Sequence, residues 1–145
     1  WPGVRAQLLY SDITFPVASP TVAKRLVGLP LASVLKESLI HDSDGSNWRA
    51  WLKAAEITAL PTGPQRTFVD HDLALQAAQL GLGVALIRTP MAAAALEGNN
   101  LVRLKGPSVR NERGHYVVTK QDEDRKPVLR LVERLRACAR GVRMR

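Results

Sequence analysis

Two short polar runs carry the side chains that could do chemistry: His41-Asp42-Ser43, and Asp70-His71 after Val69. Each puts an imidazole beside a carboxylate, and the first adds a hydroxyl. That combination suits proton transfer, nucleophilic attack or recognition of a polar ligand. A nucleophile, its base and the group that orients the base converge from separate elements, so three neighbours in sequence do not make a triad. There is no Gly-x-Ser-x-Gly elbow and no His/Cys/Glu cluster at metal-ligand spacing. The three histidines, His41, His71 and His115, could meet only through the fold. The residue types therefore favour ligand recognition over catalysis, and no metal or cofactor is expected.

Both runs sit where a strand is predicted to pass into a helix. Ser38 to His41 reads as a short strand, and Ser46 can cap a helix from Asn47 to about Ala55 with Trp48, Trp51, Leu52 and Ala55 on its apolar face. Arg66 to Val69 reads as a second strand, and Asp70 as the cap of a helix from Asp72 to Leu80. Helix N-termini present free backbone N–H groups and the positive end of the dipole, which favours an anion. For Asp70 a plain capping role outweighs ligand contact, and Trp48 and Trp51 read as core.

The stretch Leu75 to Leu86 is the clearest structural signal. Its helix ends on Gly81, which can turn left-handed without a Cβ penalty, and Gly83 allows close approach of another backbone. Val84 to Ile87 is then a short buried strand. A phosphate-binding fingerprint needs strand, glycine turn and helix in that order, and here the order is reversed.

Elsewhere, Leu8 to Tyr10 and Ile13 to Ala18 read as extended, and Ser19-Pro20 opens a short helix from Thr21 to Leu26. Thr89-Pro90 opens an alanine-rich helix that stops at Gly98, and Leu101 to Leu104 is a strand. Lys105 to Gly114 reads as irregular, His115 to Thr119 as a strand, and a basic amphipathic helix closes the chain with Val128, Leu131, Val132, Leu135, Cys138 and Ala139 on one face. Recurring strand, loop and helix predict an α/β fold built on a mixed open sheet, with ligands at the carboxyl ends of its strands.

The net charge of +8 is local. Residues 125–145 carry about +7, which leaves an electrostatically ordinary body. No aromatic or glycine interleaving accompanies these arginines, so a solvated helix face is the better reading than a nucleic-acid arm. One cysteine excludes an internal disulfide and fits a reducing compartment, hence a cytoplasmic location. The absence of a long apolar run gives no membrane span. The start at Trp1 reads as a fragment or a processed chain.

With these residues placed, the chain resembles the effector-binding domain of LysR-type transcriptional regulators, within the glycine-cleavage-activator-like branch. The resemblance rests on order and spacing: Trp1-Pro2-Gly3-Val4 with Leu8-Leu9, Pro16-Val17-Ala18-Ser19-Pro20, and Leu39-Ile40-His41-Asp42 with Trp48-Arg49-Ala50-Trp51-Leu52. Gly63-Pro64, Leu75 to Leu86, Leu96-Glu97-Gly98 with Leu101-Val102, and Tyr116-Val117-Val118 continue it. The chain departs from the pattern at Glu56, where the family has a helix-ending glycine, and at Val132 and Leu135, where it tends to place aromatics.

The resemblance implies a periplasmic-binding-protein-like fold of type 2. Residues 1–16 would be a remnant of lobe one, 17–110 lobe two, and 111–145 the return strand and C-terminal helix of lobe one. The N-terminal winged helix-turn-helix, through which such a protein meets DNA, and half of lobe one would be missing. It also implies a small-molecule effector bound between the lobes by Ser19, His41, Asp42, Ser43, Asp70, His71 and Tyr116, and the mix of carboxylates, histidines and a tyrosine in that set admits amino-acid-like or aromatic acids. A head-to-tail homodimer or higher oligomer would follow, with the helix after Ser19 and the helix Asp72 to Leu80 as lobe-two faces. A solute-binding protein of related fold and, further off, a small α/β enzyme are the alternatives.

Overall fold

The computed structural model describes residues 2–42, 44–89 and 93–142, without the side chains of 93–94, 111–113 and 141–142. The chain divides into two compact units, one of residues Ile13–Val109 and one combining Trp1–Asp12 with Arg110–Arg145.

The larger unit is an α/β layer. Its strands are the second part of β1 (Val4–Ala18), β2 (Leu39–His41), β3 (Gln65–Thr67), β4 (Val84–Thr89) and β5 (Val102–Arg103). They lie in the order β3-β2-β4-β1-β5. β2 is parallel to β3 and β4, whereas β1 runs antiparallel to β4 and β5. The mixed open sheet read from the strand-loop-helix recurrence is present. The helices α1 (Pro20–Leu26), α2 (Ser46–Ala54), α3 (His71–Gln79) and α4 (Ala93–Glu97) and a 3₁₀ turn at Leu31–Lys36 connect the strands.

Strand alternation splits the core into two faces. Phe15, Val17, Ile40, Ala85 and Ile87 pack with the alanines of α3, while Ala18, Leu39, Val84 and Leu86 pack with Trp48 and Trp51 of α2. Because successive side chains point to opposite faces of a strand, neighbours in β2 serve different helices.

The junction from α3 to β4 follows its sequence signal. Gly81 is left-handed at φ +78°, and a Cβ on Gly83, at φ +155°, would run into the backbone carbonyl of Ser38. Ser19 and Asp70 cap α1 and α3 as read, accepting from the N–H of Val22 at 3.4 Å and of Leu73 at 2.8 Å. Ser46 does not cap α2. Gly45 holds that position at φ +80°, and the Asp44 carboxylate accepts from the Ser46 N–H at 2.9 Å. Glu56 adopts φ +55°, a left-handed conformation that favours glycine, and Asn99 does the same in place of Gly98 after α4.

In the smaller unit the first part of β1 pairs with β6 (Val109–Lys120), and α5 (Lys126–Val142) follows. The segment read as irregular from Lys105 to Gly114 is therefore strand from Val109 onward, since pairing with β1 satisfies backbone groups whatever the polarity of the side chains. Asp12 is buried, and its carboxylate meets His115 Nε2 at 3.1 Å while Tyr10 stacks on the imidazole. On α5 Ala139 is buried and Val128 and Val132 are half-buried, but Leu131 and Leu135 of the same predicted face are exposed. Among the described residues no helix is long and apolar enough to cross a membrane.

Candidate functional site

Asp42 leaves the carboxyl end of β2 between the starts of α2 and α3. Its side chain is 7% exposed, yet both carboxylate oxygens are engaged. Oδ1 accepts from the Asn47 amide at 3.2 Å. Oδ2 meets His71 Nδ1 at 3.0 Å and accepts from an Arg88 Nη at 2.9 Å. Asn47 is in the first turn of α2, His71 is the first residue of α3, and Arg88 is near the end of β4. The order β3-β2-β4 brings these carboxyl ends together, which is where ligands bind in open α/β sheets.

The hydrogen bond with His71 and the charge of Arg88 stabilise the ionised carboxyl, and the Asn47 amide adds to them. Together they outweigh desolvation, and the Asp42 pKa falls to about 2. Asp42 is thus an anion at every physiological pH. A carboxylate only accepts, so His71 Nδ1 carries the proton of this contact, and Nε2 is an acceptor in the neutral ring and a donor in the imidazolium.

Two polar atoms in the cluster are buried without a hydrogen-bond partner, His71 Nε2 and Arg88 Nε. Each such orphan costs about 1–3 kcal/mol, and groups of this kind in a native structure call for an explanation. The remainder of the Arg88 side chain is about one-third exposed, so its guanidinium is both held by Asp42 and open to solvent. The cluster is a rigid acceptor and donor set rather than a catalytic triad: it holds no nucleophile among the described residues. Nor do those residues include a group of three His, Cys, Asp or Glu side chains able to hold a metal ion.

Of the residues expected to line one cleft, Asp42 and His71 are brought together, and Asp70 lies beside them as the cap of α3. His41 is not with them. One residue earlier on the strand, it faces the α2 side, with Nε2 2.7 Å from Gln65 Oε1 and its ring against Trp48. There it borders a separate open groove with Arg49, Leu52 and Thr67. Ser19 is not with them either. Ala18 pairs with Val84, and Val84 with Leu39, so Ser19 lies at the amino ends of β2 and β4, buried as a helix cap. Tyr116 belongs to the other unit, on β6, with half its surface exposed. Ser43 lies outside the described residues. Sequence reasoning missed Arg88 and Asn47. The signal for Arg88 was its place directly after the apolar run Val84 to Ile87, at the carboxyl end of a central strand.

The LysR substrate binding domain model matches residues 1–140. The chain belongs to this family. The LysR domain is 31% identical over 103 residues to the Escherichia coli K12 glycine cleavage system transcriptional activator, covering 70% of the chain and 34% of the relative. It is 33% identical over 104 residues to the Citrobacter freundii HTH-type transcriptional activator AmpR, covering 71% of the chain and 35% of that protein. The chain thus aligns with about a third of the length of these curated relatives, which are transcriptional regulators. Its fold matches the effector domain of AmpR from Pseudomonas aeruginosa with a TM-score of 0.79 at 24% identity, covering 99% of the chain and 68% of that domain.

Proposed function

We propose that this LysR domain is the effector-sensing part of a DNA-binding transcriptional regulator, and that it recognises a small molecule at the Asp42–His71–Arg88 cluster without transforming it. DNA contact would belong to a winged helix-turn-helix outside these residues. The observation that carries the reading is the pair of unpartnered buried atoms, His71 Nε2 and Arg88 Nε, on side chains fixed by one carboxylate at the carboxyl edge of the sheet. A ligand that supplies their partners stabilises the arrangement it binds, and differential affinity for two arrangements is what a sensor needs.

The chemistry of the cluster favours an amino-acid-like effector. Three donors from the chain itself already share the two Asp42 oxygens, so its main role is to position His71 and Arg88. The Arg88 guanidinium suits a carboxylate, and His71 Nε2, when the ring is neutral, accepts from an ammonium or amide N–H. The same reading places the protein in the cytoplasm and makes it a homodimer or higher oligomer, for which exposed Leu73 on α3, with Leu80 and Leu82 after it, offers apolar surface.

The test is a transcription reporter driven by the full-length regulator, with the proteinogenic amino acids and their N-acyl derivatives screened as effectors. Arg88→Gln and His71→Ala should abolish the effector response while operator binding in gel shift is retained. Loss of operator binding in both variants would assign the cluster a purely structural role and overturn the proposal. A solution mass of a monomer at tens of micromolar would overturn the oligomer.

A further inference from the structure

At the other end of the same unit, remote from Asp42, lies a half-open apolar pocket of about 250 Å³. Its floor is Leu26, Val34, Trp51 and Leu104. Trp51 is held rigidly there: its indole N–H donates to the Pro107 carbonyl at 3.0 Å, and its ring packs so closely on Gly106 that a Cβ would collide with it. The mouth carries Val27 and Leu29, 77% and 52% exposed, on the turn after α1. Exposed aliphatic side chains around a rigid apolar pocket mark a binding site more often than scattered surface residues do.

Charge decides what the pocket takes. Its charged lining residues are Arg103 and Lys105, and no acidic side chain lines it among the described residues. Arg103 is occupied, stacked 4.2 Å over the Phe15 ring and donating to Ser108 at 2.7 Å. Lys105 is exposed and forms no described hydrogen bond or ion pair.

We propose that this pocket binds a small apolar monocarboxylate, its hydrocarbon part on Trp51 and Leu104 and its carboxylate at the mouth against Lys105. A dry cavity of about 150 Å³ suffices for benzene, so the volume here admits a single aromatic ring or a chain of about eight carbons. Such a ligand satisfies both features at once, since it covers the apolar walls and neutralises the unpaired ammonium. The site is independent of the Asp42 cluster, whose ligand chemistry is polar throughout.

The experiment is a calorimetric titration of the full chain with sodium octanoate and with 1-octanol, together with amide chemical-shift mapping. Octanoate should bind and shift the amides of Leu26, Leu29, Val34 and Leu104. Octanol should bind about two- to five-fold more weakly, the scale of one solvent-exposed ion pair. Lys105→Gln, a surface change, should abolish that preference and leave octanol affinity unaltered. Ala23→Leu, which narrows the pocket, should weaken both ligands. No binding of either ligand, shifts centred on Asp42 and His71, or equal affinity for the acid and the alcohol would each overturn the proposal. So would self-association that Leu29→Asp relieves, because the mouth would then be a contact between copies of the chain.

Discussion

Replacing Asp42 by asparagine keeps the shape of the side chain but removes its charge and one of its two acceptors. In the parent, three donors converge on the two oxygens, and an amide would turn an N–H₂ group toward Asn47 or toward His71 and Arg88. The loss can be worked from two sides. The depression of the carboxyl from 3.8 to about 2 corresponds to about 2 kcal/mol of stability at pH 7, at about 1.4 kcal/mol per pKa unit. Breaking a fully buried pair costs about 3–5 kcal/mol, but Arg88 is 31% exposed and can hydrate when released. The expected destabilisation is therefore about 2–3 kcal/mol. Followed by tryptophan fluorescence, since Trp48 and Trp51 lie in this unit, it should lower the urea midpoint by roughly 2 M. The pH dependence gives a second check. Because the folded pKa is the lower one, the contribution is complete above about pH 4 and is lost as pH falls through 2. The gap between parent and Asp42→Asn should therefore shrink to about half by pH 3. A variant within 0.5 kcal/mol of the parent at pH 7, on the scale of an ordinary surface change, refutes the linked cluster, as does a gap constant from pH 7 to pH 3.

Three further variants test the elements that hold the cluster in place. Glu56→Gly should stabilise the chain by about 0.5–1 kcal/mol in urea unfolding, because relief of the left-handed conformation at φ +55° exceeds the added entropy of glycine in the unfolded chain. Asp70→Ala should cost about 1 kcal/mol by removing the acceptor of the Leu73 N–H and should raise amide exchange in the first turn of α3, and unchanged exchange there would contradict the cap. Gly83→Ala should cost more than about 3 kcal/mol or prevent folding, since its Cβ would meet the Ser38 carbonyl and its φ of +155° disfavours any side chain; a folded protein with the parent midpoint would refute that close approach.

What the sequence by itself determined is local. The caps at Ser19 and Asp70, the left-handed close at Gly81, and the strands leading into α2 and α3 all depend on groups within a few residues of one another. A cap satisfies its own helix, and a glycine relieves its own φ, so neighbours suffice to announce them. The polar ends of β2 and the start of α3 were legible for the same reason, and they mark the region of the candidate site. The tertiary structure decided which of those groups meet. Asp42 reaches across 29 residues to His71 and 46 to Arg88, contacts that exist only because β2 lies between β3 and β4. Alternation along β2 sends His41 to the Trp48 face although it adjoins Asp42, and the antiparallel course of β1 carries Ser19 to the opposite end of the sheet. Pairing with β1 likewise makes strand of residues after Val109 whose composition reads as loop. Strand order and direction follow from how the whole core closes, and no residue's own propensity encodes them.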